Sequence, residues 1–75
     1  MKVVMWNGEK KRYFIFSMKE TEKTYIFKPL RKIEDLNLTI DGSKAKVIEN
    51  DSTVLYDYLP LYRFLKLKKP VVITS

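Results

Sequence analysis

The feature that most limits this chain is its punctuation. Apolar runs of about four to eight residues are broken at short intervals by turn-forming segments. The breaks are Asn7-Gly8, Lys19-Glu20-Thr21-Glu22, Asp41-Gly42 and Asn50-Asp51. Runs this short are strand-length, and Asn, Asp and Gly tolerate the positive φ that tight hairpin turns demand. The pattern predicts a mostly β fold, an antiparallel meander arranged as a small barrel or sandwich. Residues 1–75 form a single domain on this reading, because so short a chain cannot fill two hydrophobic cores.

Register follows from the turns. A two-residue loop at Asn7-Gly8 would set Trp6 opposite Glu9, Val4 opposite Lys11 and Lys2 opposite Tyr13. Centring the second turn on Glu20-Thr21 would set Phe16 opposite Tyr25, Phe14 opposite Phe27 and Ile15 opposite Ile26. Directly opposed residues share a face. One face then carries Val3, Met5, Phe14, Phe16, Tyr25 and Phe27, a good core surface. The other carries Val4, Trp6, Tyr13, Ile15 and Ile26, edged by Lys2, Lys11 and Lys28. A solvent-facing sheet surface is normally polar, so these large apolar residues call for a cover.

Pro29 ends the third strand on this reading and starts a helical turn near residues 29–36, with Leu30, Ile33 and Leu36 at every third position. Beyond it, strands are expected over residues 38–40, 44–49 and 52–57. The Asn50-Asp51 hairpin would pair Val47 with Val54 and Ala45 with Tyr56 on the buried side, and Lys44 with Asp57 on the other. The tail changes period. Tyr58, Leu61, Tyr62 and Leu65 follow the i, i+3, i+4, i+7 spacing of one helical face, which predicts a short C-terminal helix over residues 60–66 with that face packed inward. Pro70 stops it, and residues 71–74 read as a closing edge strand.

The absences matter for chemistry. The chain has no cysteine and no histidine, which removes thiolate ligands, the usual zinc sets, Ser–His and Cys–His catalysis and the ordinary neutral-pH proton shuttle. Asp35, Asp41, Glu49, Asp51 and Asp57 are the carboxylates a metal or acid–base pair would need, but most fall at turns or strand ends, where Asp serves the backbone. Asp41-Gly42-Ser43-Lys44 lacks the later ligands of a calcium loop. Ser43 and Lys46 share a Ser-x-x-Lys spacing only as a bare pair. The expectation is a protein that is not an enzyme and uses no cofactor and no metal. The apolar run at residues 3–6 is too short for a signal peptide, and no stretch reaches the ~20 apolar residues that span a bilayer. A cytoplasmic protein without membrane insertion is expected.

Charge supplies the positive argument. Fifteen basic and nine acidic residues give a net charge of +6. Residues 1–33 and 58–75 carry the excess, while residues 34–57 are acidic. The basic residues cluster as Lys10-Lys11-Arg12, as Lys28 with Arg31-Lys32, and as Arg63 with Lys66, Lys68 and Lys69. With Lys2, these are candidates to neutralise nucleic-acid phosphates, while Trp6 and Tyr13 on the same face are candidates to stack on bases. The leading expectation is a small basic DNA- or RNA-binding or accessory protein. The alternative is a homodimer or protein-interaction module docking through Val4, Trp6, Tyr13, Ile15 and Ile26, since Tyr and Trp serve protein interfaces equally well.

Overall fold

The structure, a computed structural model, describes residues 1–74. Its strands are β1 (Lys2–Asn7), β2 (Arg12–Glu20), β3 (Tyr25–Lys32), β4 (Leu38–Asp41), β5 (Lys44–Glu49), β6 (Ser52–Leu59) and β7 (Val71–Ile73). A 3₁₀ turn, Asp35–Asn37, precedes β4, and the one-turn helix α1 (Leu61–Phe64) follows β6. All seven strands form one sheet in the order β4-β5-β6-β1-β2-β3-β7. The mostly β fold with a short C-terminal helix is therefore as expected, but the sheet is open. It is neither a barrel nor two packed sheets. Nor is it wholly antiparallel: β6 runs parallel to β1 and β3 parallel to β7.

The first two hairpins depart from the expected register in the same way. Asn7 lies opposite Arg12, so the loop is four residues long rather than two, and Trp6 pairs with Tyr13, Val4 with Ile15 and Lys2 with Ser17. Asn7 shapes this loop through its side chain, whose Oδ1 accepts the Lys10 N–H at 3.2 Å, and Lys11 takes the left-handed residue at φ 53°. In the second hairpin Glu20 pairs with Tyr25, not Phe16. Its loop is pinned by Thr21 and Thr24, whose hydroxyls lie 2.8 Å apart and whose backbones bond across the turn. Between each turn and a bulge in β3, the pairing slides by four residues, an even number. Side chains alternate with period two, so an even slide leaves both faces unchanged.

Pro29 does not end β3. The register shifts between Ile15 and Phe16, whose partners are Arg31 and Pro29, leaving Leu30 as an extra residue. A bulge is one of the few sheet positions that tolerate proline's missing N–H. The strand continues to Lys32, and the expected helical turn over 29–36 contracts to Asp35–Asn37. The third hairpin has the expected register: Val47 faces Val54, Ala45 faces Tyr56 and Lys44 faces Asp57. Asn50 and Asp51 are both left-handed, at φ 48° and 65°, as the primed turn requires.

Two buried clusters lie on opposite faces and share β1 and β2. The first face holds Val3, Met5, Phe16, Phe27 and Leu59, with Phe14 and Tyr25 packed against them. Because β6 and β7 are separated by three strands, the intervening chain crosses this face, and Phe64 and Leu67 dock on it. The Phe64 ring lies 5.8 Å from that of Phe27. Here the helical expectation is corrected. Leu61, Tyr62 and Leu65 point outward and are 59%, 65% and 72% exposed, and Tyr58 belongs to β6. A helix of one turn has too little length to present a four-residue stripe, so the docking is done by Phe64 and Leu67. The second face buries Val4, Ile15, Ile33, Ala45 and Val47. Part of the cover that this face needed is thus the chain's own β4–β6 half.

Candidate nucleic-acid interface

The β1–β2–β3 register assembles a cationic surface from residues far apart in sequence. Lys2 pairs with Ser17, and Ser17 with Lys28. One step along, Lys19 pairs with Ile26 and Ile26 with Val72 of β7. Arg31 pairs with Ile15 and so shares the second face. With neighbouring strands about 4.8 Å apart, the Lys2 and Lys28 backbones are separated by about 10 Å. Lys2, Lys19, Lys28 and Arg31 are all exposed. Among the described residues, Lys2, Lys19 and Lys28 have no carboxylate within ion-pair distance, whereas Arg31 pairs with Glu49.

Glu49 reaches this surface because the β5–β6 hairpin tip folds toward the end of β3. The Tyr56 hydroxyl donates to Glu49 Oε1 at 2.7 Å, and the Arg31 guanidinium donates to the same oxygen. These two bonds, with the more distant Lys2 charge, hold the Glu49 carboxyl below its ordinary value. Burial, reinforced by the Glu49 charge, pushes the Tyr56 phenol up. A groove of about 330 Å³ opens at this point, lined by Arg31, Ile48, Glu49 and Asn50.

The aromatic candidates sit elsewhere. Trp6 and Tyr13 share the second face with Lys2 and Lys28, but the covered Val4 and Ile15 lie between the two groups. The Trp6 and Tyr13 rings meet edge to face at 5.1 Å, and Tyr13 leans on Tyr58 at 6.4 Å. Trp6 is 40% exposed. Tyr58 is half-buried, and that burial, followed by the neighbouring Tyr13 hydroxyl, raises its phenol pKa. Lys11, the last residue of the β1–β2 loop, and Arg12, the first of β2, lie at this end of the hairpin. The lysine row and the base-stacking candidates are therefore two regions rather than one.

The remaining basic candidates disperse. Lys10 sits over the Phe14 ring at 5.4 Å, and Lys32, paired in register with Phe14, bonds Glu34 at 3.1 Å. Arg63, Lys66 and Lys68 are exposed on the tail. Lys69 straps the tail to the β2–β3 loop, bonding Glu20 at 2.5 Å and the Thr21 carbonyl at 2.9 Å. Of the thirteen sequence candidates, the cationic part of the second face gathers Lys2, Lys28 and Arg31, and Trp6 and Tyr13 lie at the other end of that face. Lys19 joins the cationic part unexpectedly, because the polar composition of residues 19–22 points to a turn there, whereas β2 continues to Glu20. Strict alternation from Tyr13 through Ile15 and Ser17 would have found it.

The alternative interface is corrected in two positions. Val4 and Ile15 are only 0% and 2% exposed, so they cannot meet a partner, while Trp6, Tyr13 and Ile26 still reach the surface. A separate apolar groove of about 260 Å³ lies between the end of β1, α1 and β7, lined by Met5, Trp6, Gly8, Leu61, Phe64 and Ile73.

Among the described residues, no three His, Cys, Asp or Glu side chains group so as to hold a metal ion. Among the same described residues, no helix is long and apolar enough to cross a membrane. No family model matches the chain, and neither the curated proteins nor the solved structures contain a match.

Proposed function

We propose that this domain is a noncatalytic nucleic-acid-binding protein that holds a phosphate backbone on the second face of β1–β3. The observation that carries this reading is the cross-strand row Lys2–Ser17–Lys28, with Lys19 beside it and no carboxylate bound to any of the three lysines among the described residues. Cations on strands keep their spacing, so a polyanion meets a preformed array rather than flexible arms. The row offers charge and no convergent base-reading groups. Binding on this reading depends on phosphate density more than on sequence.

The test is a titration with labelled random-sequence DNA and RNA, single- and double-stranded. Three phosphate contacts imply a log–log salt slope of about −2 to −3. Affinity should then fall roughly 20- to 40-fold between ~50 and ~200 mM salt. The double charge reversal Lys2→Glu/Lys28→Glu should abolish binding at ~200 mM, while Lys66→Glu/Lys68→Glu on the tail should leave most of it. Equal losses from the two pairs would refute the assignment to this face.

A second reading has its own observation. Leu61, Tyr62 and Leu65 present an outward apolar helix surface, close to the apolar groove between Trp6 and Ile73. The strand β7 at the sheet edge adds exposed Val72 and Ile73. Such a surface fits a protein partner or a second copy of the chain. Sedimentation showing a monomer at all concentrations, and still monomeric in high salt, would remove the second copy from this reading.

A further inference from the structure

We infer that Glu49 is a built-in competitor for the phosphate surface, occupying Arg31 until a nucleic-acid phosphate displaces it. The inference rests on the phosphate-binding reading of the second face and adds to it the residue that sets its strength. Three observations carry it. Arg31 lies on the same face as Lys2 and Lys28, so a strand following those lysines comes within reach of its guanidinium. The Arg31–Glu49 pair stands at the mouth of an open groove rather than in the core, with the Arg31 side chain 48% exposed. The carboxylate is also supported independently of Arg31, since Tyr56 donates to it at 2.7 Å.

These features make an exchange feasible without rearranging the backbone. A phosphate offers the guanidinium the same paired-oxygen geometry as a carboxylate. When phosphate takes Arg31, the Glu49 carboxylate keeps its Tyr56 bond and its attraction to Lys2. It does not become an orphan. While Glu49 holds Arg31, however, its negative charge faces any incoming phosphate and lowers the number of effective cations on the face from four to three. The hairpin tip of β5–β6 thus acts as a gate on affinity.

The experiment uses Glu49→Gln, which removes the charge and retains an oxygen for Tyr56. Glu22→Gln on the exposed β2–β3 loop is the control for the same change in net charge. Glu49→Gln should tighten single-strand binding about tenfold at ~50 mM salt, where Glu22→Gln changes it less than about twofold. Its log–log salt slope should steepen by about 0.7, the increment for one added phosphate contact on a single strand. The gain should therefore shrink to about threefold or fourfold at ~200 mM. Arg31→Gln placed in the Glu49→Gln background should remove the gain and restore the shallower slope. Unchanged slope and affinity in Glu49→Gln, with wild type binding through Lys2 and Lys28, would overturn this inference alone. Absence of binding in both wild type and Glu49→Gln would overturn it together with the phosphate reading. Urea denaturation of each variant separates loss of binding from loss of fold.

Discussion

Val47 and Ile48 are neighbours in sequence on opposite faces of β5, and truncating each to alanine tests the two-faced core directly. Val47 is 1% exposed and packed in the cluster of Val4, Ile15, Ile33 and Ala45. Ile48 is 49% exposed on the uncovered part of the first face. Val47→Ala removes two carbons from a closed environment, which costs about 1.6 kcal/mol in transfer. Incomplete collapse around the vacated space raises the total to about 2–3 kcal/mol. Ile48→Ala deletes three carbons, yet most of that surface is wet in the folded state, and the loss should be about 0.5–1 kcal/mol, chiefly strand preference. The smaller deletion should therefore do the larger damage. With a urea m-value of about 1 kcal/mol/M for a domain this small, the midpoint should fall by about 2–3 M for Val47→Ala and by no more than about 1 M for Ile48→Ala. Since such a domain has only about 3–5 kcal/mol of stability, the first variant should be close to unfolding in plain buffer. An Ile48→Ala loss equal to or larger than that of Val47→Ala would refute the assignment of faces on β5.

Other consequences follow from single features of the fold. Lys11 holds φ 53° in the β1–β2 loop, a conformation that costs an L-residue about 1–2 kcal/mol. Lys11→Gly should relieve it, and after the larger entropy of glycine in the unfolded chain the net gain should be about 0.5–1 kcal/mol, read as a Tm rise of several degrees. Glu49 is held below its ordinary value of 4.5 by Tyr56 and Arg31. The unfolded chain therefore binds more protons as the medium is acidified. That stabilisation is fully present above pH 4.5 and is lost as pH falls through the folded value, and Glu49→Gln should flatten this part of an acid melt. Tyr56 is shifted the other way, above 10.0. The unfolded phenol ionises first there, so stability should decline above pH 10, and Tyr56→Phe should make that decline shallower, leaving the share of Tyr58, whose phenol is raised in the same direction. A wild-type alkaline profile no steeper than that of Tyr56→Phe would count against the burial of this hydroxyl.

The lysine row shows how far local sequence could reach toward a site. Lys2 and Lys28 were legible as members of one face, because alternation survives even-numbered errors in register. Their alignment through Ser17 was not legible, because the loop around Asn7 is closed by an Asx contact to Lys10 rather than by a two-residue turn. Lys19 was hidden by the turn-like composition of the segment after it. The hairpin carried by Asn50 and Asp51 was legible down to its pairs, since two left-handed residues in succession leave only one tight geometry. The tail misled for a different reason. A 3.6-residue spacing over Leu61, Tyr62 and Leu65 describes a stripe, and a single turn of helix leaves the crossover geometry to choose which side meets the sheet.

What the sequence by itself determined is the strand-rich class, the strand count within the first meander and the membership of each face, because period-two alternation and turn chemistry act over a few residues. It also determined the excess of positive charge at both ends of the chain. Only the tertiary structure decided that β6 pairs in parallel with β1 and β7 with β3, that β4–β6 cover Val4 and Ile15, and that Glu49 arrives at Arg31. Those outcomes depend on contacts between segments eighteen or more residues apart. Such contacts form by burying the best available surface of the whole chain, a comparison that no local pattern contains.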